Sequence, residues 1–322
     1  MVIPKKAAFL FPGQGSQYPG MALDLHERSA GVRDLFAIAA SVLGRDMRKL
    51  LAESDEAALK QTEVAQCAVT LANLASAAFL AENGVRAALC SGHSLGEYAA
   101  LREAGVISTE DCFALVRERG RAMAGAAAQD AGAPPEAGMA AVLGLDGGEV
   151  ERLIEQWREA GLPGLFAANF NAARQTVISG TREALREAEI RFKEAGARRV
   201  LPLKVSGPFH SPLMADAAER FSGFLATVNF QNPAIPFFSN VTGGIVQTGA
   251  EAKELALRQI TAPVRWTAVQ AALAALEPDA LFEAGPGRVL QGLWADTGAS
   301  APCYAAGKAA DIDTFLQKSA LP

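Results

Sequence analysis

Ser94 stands between two glycines, Gly92 and Gly96, in the run Leu89-Cys90-Ser91-Gly92-His93-Ser94-Leu95-Gly96-Glu97-Tyr98. A Gly-x-Ser-x-Gly pattern also arises by chance in glycine-rich loops, so its meaning rests on its flanks. Residues 85–90 read as a short buried strand and residues 95–104 as a helix closed by Gly105. A strand that turns sharply into a helix through this pattern is a nucleophile elbow. The turn leaves no room for side chains beside the serine, which is why both neighbours lack a Cβ. The hydroxyl then projects at the carboxyl edge of a parallel sheet. The Leu95 amide, at the helix N-terminus, faces a developing oxyanion. The chemistry such an arrangement offers is attack by a serine hydroxyl, with an amide placed to receive the oxyanion.

A serine hydroxyl at neutral pH needs a base beside it. The chain has three histidines, His26, His93 and His210. His93 adjoins Ser94, and neighbours across a tight elbow point apart. His26 lies in a polar helical stretch, the usual setting of a solvated histidine. His210 sits in the Gly/Pro-bounded loop Ser206-Gly207-Pro208-Phe209-His210-Ser211-Pro212 and is the base by elimination. A third group must orient the imidazole. The acids between Ser94 and His210 fall mostly where no strand-end loop presents them. Either the chain order differs from that of α/β-hydrolases, or a backbone carbonyl replaces the carboxylate; spacing leaves both open.

The elements that position these residues follow from the apolar pattern. Residues 7–11 are a continuous apolar run, as in a central parallel strand. It breaks into Pro12-Gly13-Gln14-Gly15-Ser16-Gln17, a loop whose backbone can approach a ligand, though it is neither GxGxxG nor a phosphate loop with its lysine. A long helix runs from about residue 62 to 83 and feeds the strand beneath the elbow. The next helix carries Arg117, Arg119 and Arg121, which point different ways, so at most one looks back at Ser94. Residues 125–136, rich in Ala, Gly and Pro, read as a connection. Strands at 139–145, 165–169, 176–179 and 198–203, with helices at 148–160 and 181–195, then follow the order βαββαβ of a ferredoxin-like unit; residues 171–175 read as its polar loop. The expected fold is therefore α/β: a parallel-sheet, α/β-hydrolase-like main domain (1–130 and 204–322) with a small ferredoxin-like insert (138–203).

Bulk properties narrow the function classes. Half of the 322 residues are hydrophobic, enough for a large core, and the net charge of −5 gives no footprint for nucleic acid or an anionic membrane. No uninterrupted apolar run approaches the ~20 residues of a membrane span. The start of the chain passes directly into a strand without an apolar leader, so a cytoplasmic protein is expected. Cys67, Cys90, Cys112 and Cys303 are scattered, as for reduced thiols. Neither cysteines nor histidines have metal-ligand spacing, and no metal or cofactor is expected.

Five motifs occur in order: Phe11-Pro12-Gly13-Gln14-Gly15-Ser16-Gln17, Gly92-His93-Ser94-Leu95-Gly96-Glu97-Tyr98, Arg119-Gly120, Gly207-Pro208-Phe209-His210-Ser211 and Glu283-Ala284-Gly285-Pro286-Gly287. Together they resemble the malonyl-CoA:acyl carrier protein transacylase family, over residues 9 to about 306. That family also has a ferredoxin-like insert. The resemblance implies a residue-by-residue assignment. Ser94 carries the acyl group as an ester, and His210 takes its proton and later deprotonates the carrier thiol. The Gln14 and Leu95 amides form the oxyanion hole, and Arg119 holds the malonyl carboxylate. The backbone carbonyl of Gln259 orients the histidine, which answers the missing acid. Leu95 and Phe209 resemble the malonyl-selective pattern; a bulky Phe209 crowds an α-methyl group, a difference worth ~1–3 kcal/mol. Two departures stand out. Ala173-Arg174 replaces a common Pro-Gly, which leaves that loop's shape open, and Cys67 replaces a common proline.

The implied partners are malonyl-CoA and the acyl carrier protein, with the enzyme expected to be a monomer. A buried guanidinium grips the malonyl carboxylate through two charge-assisted bonds and, left unpaired by acetyl, imposes a penalty of roughly 2–5 kcal/mol. Acyl carrier proteins are acidic and so is this chain, so docking needs a local basic patch, for which Lys193, Arg198, Arg199, Lys204 and Arg288 are placed. The alternatives are a discrete transacylase of a polyketide synthase, an acyl hydrolase using the same Ser-His pair, and a non-catalytic carrier-binding scaffold. Arg119 argues against hydrolysis of neutral acyl groups, and the intact Ser94, His210 and Arg119 argue against a scaffold.

Overall fold

The computed structural model describes residues 3–127 and 137–320. Among them two sheets form. The first is five-stranded and parallel, built from β1 (Ala7–Phe11), β2 (Ala87–Gly92), β7 (Phe237–Phe238), β8 (Ala280–Glu283) and β9 (Cys303–Ala305), in the order β7-β2-β1-β8-β9. The second is four-stranded and antiparallel, built from β3 (Ala137–Leu143), β4 (Leu165–Ala172), β5 (Gln175–Thr181) and β6 (Arg199–Pro202), in the order β4-β5-β3-β6. That order and its βαββαβ connection are those expected of the ferredoxin-like unit.

The apolar run of β1 is explained by burial on both faces. Successive side chains alternate: Phe9 and Phe11 enter the larger core with Leu71, Leu74 and Phe113, whereas Ala8 and Leu10 enter a second core with Trp266, Leu290 and Trp294. The antiparallel sheet has a core of its own beneath the helices Gly147–Glu159 and Arg182–Glu194, around Val142, Val150, Ile178 and Phe192. Its opposite face, through Met139, Ala141 and Val177, joins the larger core. The helix Thr62–Glu82 has the length and apolarity of a membrane span, but nearly its whole surface is covered by the sheet and neighbouring helices.

Two readings of the chain change. The strands around the expected polar loop 171–175 are longer, and the connection shrinks to the two-residue turn Ala173-Arg174, with Ala172 paired to Gln175. Asn169 and Asn171 are strand residues despite the low strand preference of asparagine. The Phe170 amide donates to the Val264 carbonyl and the Val264 amide to that of Ala168, lashing β4 to the main sheet's side of the molecule. Arg174 closes the turn by donating from Nε to the Gly144 carbonyl at 3.0 Å. The helix Thr109–Ala127, capped by Ser108 Oγ on the Asp111 amide (3.0 Å), runs two residues past Gly125. Residues 128–136 of the expected connection lie outside the described residues.

Candidate active site

β2 ends at Gly92, and the helix Gly96–Glu103 begins four residues later. A Cβ on Gly92 would overlap the Gly96 backbone, and one on Gly96 would overlap the Phe11 carbonyl. Ser94 between them has φ 51°, a left-handed conformation that costs a non-glycine residue about 1–3 kcal/mol. The peptide groups around it are held from two sides. The Ser94 amide donates to Asn240 Oδ1 at 2.6 Å, and Asn240 Nδ2 donates to the Gly92 carbonyl at 2.7 Å. Gln259 Nε2 donates to the Ser94 carbonyl at 3.0 Å. Asn240 is itself fixed by its amide, which donates to Glu97 Oε2 at 2.7 Å. Burial raises the pKa of Glu97 from 4.5 to about 7 against the pull of that bond, a Gln259 side-chain bond and the Arg119 charge.

His210 also lies in the left-handed region, at φ 57°. Its loop is pinned by Ser211 Oγ donating to the Pro208 carbonyl (2.6 Å) and by Ser179 Oγ, from β5, donating to the Phe209 carbonyl (2.5 Å). Ser94 Oγ and His210 Nε2 are 2.7 Å apart, and Nδ1 is 2.9 Å from the Gln259 carbonyl. A carbonyl only accepts, so Nδ1 carries the ring proton and Nε2 presents its lone pair to the hydroxyl. Burial, then the Arg119 charge, lowers the His210 pKa from 6.5 to about 3, which keeps the resting imidazole neutral.

Arg119 is fully buried, on the helix Thr109–Ala127. A Cβ on the adjacent Gly120 would press on Gln66 and on the Glu63 backbone of the helix Thr62–Glu82. The glycine therefore lets the two helices approach and brings Arg119 against Gln66. Nη1 donates to Gln66 Oε1 at 2.7 Å. Nη2 donates to Gln259 Oε1 at 3.0 Å and lies 3.4 Å from Ser94 Oγ. The guanidinium also sits over the Tyr98 ring, 5.4 Å from its centroid.

The loop after β1 is anchored by Asn73 Nδ2 donating to the Pro12 carbonyl at 2.9 Å. Gln14 lines the same cleft as Ser94, and Leu95 follows Ser94 as the residue that opens the helix Gly96–Glu103; among the described residues neither backbone amide has a hydrogen-bond acceptor. The cleft, of about 280 Å³, is lined by Ser94, His210, Arg119, Gln14 and Phe209 from the main-sheet side and by Met139, Asn169, Asn171, Val177 and Leu203 from the antiparallel sheet. A larger groove of about 590 Å³, around Phe170, Gln270 and Leu293, holds none of these reacting groups.

Of the residues singled out for chemistry in the sequence, Ser94, His210, Arg119, Gln14 and Phe209 line one cleft, Leu95 adjoins Ser94, and Gln259 bonds to His210 and Arg119 from behind. His93, set aside as a base, bonds Asn171 Oδ1 through Nε2 at 2.8 Å and packs edge-on to Trp266. Of the basic residues, Lys204 and Arg288 neighbour the cleft-lining Leu203, Val205 and Val289, whereas Arg198 and Arg199 sit at the far end of β6. Lys193 and Arg288 are already paired, with Glu189 and Asp311. Among the described residues no cluster of His, Cys, Asp and Glu could hold a metal ion. Sequence reasoning missed Asn240, Gln66 and the Gln259 side chain. Asn240 follows β7 at the sheet's carboxyl edge, the one signal that could have found it; Gln66 lies on the helix Thr62–Glu82 and Gln259 just past the end of the helix Gly249–Arg258, neither side chain with a local mark.

An elbow serine bonded to a neutral histidine, beside a buried arginine, defines a serine acyl-transfer centre on an α/β fold. The acyl transferase domain family matches residues 8–317. The malonyl CoA-acyl carrier protein transacylase of Bacillus subtilis (strain 168) is 39% identical over 288 residues, 89% of this chain and 89% of that protein. Among solved structures, an acyl carrier protein S-malonyltransferase from Vibrio cholerae aligns with TM-score 0.89 and 36% identity, over 97% of this chain and 100% of the other. The malonyl-transacylase PlMCAT, in complex with the type II PKS acyl-carrier protein AntF, aligns with TM-score 0.89 and 35% identity, over 98% of this chain and 100% of the other. The chain belongs to the malonyl CoA-acyl carrier protein transacylase family of acyltransferases.

Proposed function

We propose that this chain moves a malonyl group from malonyl-CoA to the phosphopantetheine thiol of an acyl carrier protein, through an ester on Ser94. The observation that carries this reading is the buried Arg119, 3.4 Å from the Ser94 hydroxyl and, among the described residues, bonded only to neutral side chains. Malonyl has a carboxylate whose carbon lies two bonds from its thioester carbonyl carbon, and acetyl has none.

The residues act as follows. His210 Nε2 takes the Ser94 proton as Oγ attacks the thioester carbon. The Gln14 and Leu95 amides receive the oxyanion. CoA leaves with the proton held by His210, and the ester remains on Ser94. The carrier thiol then gives its proton to His210 and attacks the ester carbonyl; Ser94 leaves and recovers the proton. Gln259 orients the base through its carbonyl, and Phe209 narrows the acyl pocket. Residues 138–203 act as one unit that walls the cleft against residues 1–130 and 204–322, keeping water from the ester. Lys204 and Arg288, at the cleft's lips, are the best placed of the basic residues to meet an acidic carrier. We place the activity in the cytoplasm, in a monomer supplying fatty acid synthesis. The likeness to a type II PKS transacylase favours a polyketide carrier as the second reading; activity across carriers of both kinds separates the two.

Arg119→Ala tests the central claim. Malonyl loading, as kcat/KM, falls by about 100-fold or more while acetyl loading holds or rises. An equal fall for both acyl groups means that Arg119 does not read the carboxylate.

A further inference from the structure

Arg119 is a buried cation anchored by neutral oxygens. Its Nη1 and Nη2 donate to the side-chain carbonyls of Gln66 and Gln259, and among the described residues no carboxylate lies within ion-pair distance of it. Glu97 acts on it only through space, with its own carboxylate turned to the Asn240 amide. A buried charge without a counter-ion is costly, and amide oxygens offset only part of that cost.

Gln66 is as rigidly placed as the arginine. It is 1% exposed, on the helix Thr62–Glu82, at the approach that Gly120 permits. Its Nε2 donates to Gln14 Oε1 at 3.2 Å, and Gln14 Nε2 lies 3.5 Å from Thr62 Oγ1. This chain of bonds turns the Gln66 oxygen, not its nitrogen, toward Arg119. It also joins the arginine to the loop whose amide faces the serine. A glutamate at this position would have the same reach but would neutralise the guanidinium permanently.

We propose that Gln66 is a specificity-determining positioning residue: its neutral carboxamide fixes the guanidinium plane while leaving the charge uncompensated, so that the carboxylate of the acyl group becomes the counter-ion. The selectivity then depends on what the anchor lacks as much as on the arginine. The inference rests on the reading that Arg119 receives that carboxylate.

The test measures Ser94 acylation of the full chain by intact mass, with malonyl-CoA and acetyl-CoA, for Gln66→Glu, Gln66→Met and Arg119→Ala. In Gln66→Glu the second carboxylate oxygen faces Gln14, whose carboxamide can turn over to donate, so the network accommodates the change. The expected result is a malonyl-to-acetyl ratio of kcat/KM lowered about 100-fold or more, with acetyl loading held or raised. Gln66→Met removes the anchor and the bond to Gln14 without adding charge; both acyl groups lose some rate through the Gln14 loop, but KM rises for malonyl-CoA by about 10-fold more than for acetyl-CoA. If Gln66→Glu does not fold, Gln66→Met decides by the same split. Parallel loss with both acyl groups, or a ratio unchanged in Gln66→Glu, overturns the proposal. An Arg119→Ala variant that keeps its discrimination overturns the carboxylate reading itself. If Arg119→Ala loses discrimination while Gln66→Glu keeps it, only the role of Gln66 fails.

Discussion

The parallel and antiparallel sheets contribute to one cleft in different ways. Gln14 follows β1, Ser94 follows β2 and Asn240 follows β7, all at the carboxyl edge of the parallel sheet. Arg119, Gln66 and Gln259 reach the same point from helices packed on or beside that sheet. The antiparallel sheet supplies wall: Met139, Asn169, Asn171, Val177 and Leu203, plus one bond from Ser179 to the loop of the base. The difference is one of tolerance. Reacting atoms must be held to fractions of an ångström, and a doubly covered sheet edge does that. A wall need only exclude water and shape the entrance.

This contrast is open to measurement. Asn240→Ala removes the partners of the Ser94 amide and the Gly92 carbonyl and frees a strained residue. It lowers kcat about 10–100-fold and stability by about 2–4 kcal/mol, read from acylation kinetics and urea unfolding. If it costs no more than a wall substitution, the asymmetry is wrong.

A pH series probes the same elbow. The folded-state pKa of His210 is depressed from 6.5 to about 3, so the unfolded chain takes up a proton that the folded chain refuses. Its contribution to stability is present above pH 6.5 and is lost as pH falls toward 3, by at most about 1.4 kcal/mol per pH unit. His210→Gln flattens that acid loss. Glu97 runs the other way: its raised pKa makes its contribution full below 4.5 and lost as pH rises through about 7, so Glu97→Gln flattens the neutral limb. Unfolding of each variant from pH 4 to 8 reads both; unchanged slopes would show that neither group is shifted by burial.

The smallest effect belongs to the antiparallel side. Ser179→Ala deletes the bond to the Phe209 carbonyl and costs about 1 kcal/mol, with kcat/KM lowered by less than about 10-fold. A collapse as deep as that of Asn240→Ala would make the insert part of the catalytic frame.

Much of this was readable from residue types. The apolar run 7–11, the glycine pair around Ser94 and the βαββαβ alternation each prescribe local structure, because strand burial, a cramped turn and helix periodicity are short-range demands. Gly120 beside Arg119 was visible as a motif, although its reason, the approach of two helices, was not. Asn171 misled, since a polar residue that faces a cleft from a strand looks like a loop.

The linear chain by itself determined the elbow, the identity of the nucleophile and base, and the order of strands and helices, because each depends on residues within one turn or one strand. Only the tertiary structure decided that the Gln259 side chain bridges Arg119 and the Ser94 carbonyl, that Asn240 clamps Ser94 across 146 positions and that Arg119 is anchored by amides rather than by an acid. Those contacts join elements far apart in sequence, and their geometry comes from packing two sheets and their helices around one cleft, which no local pattern of residues encodes.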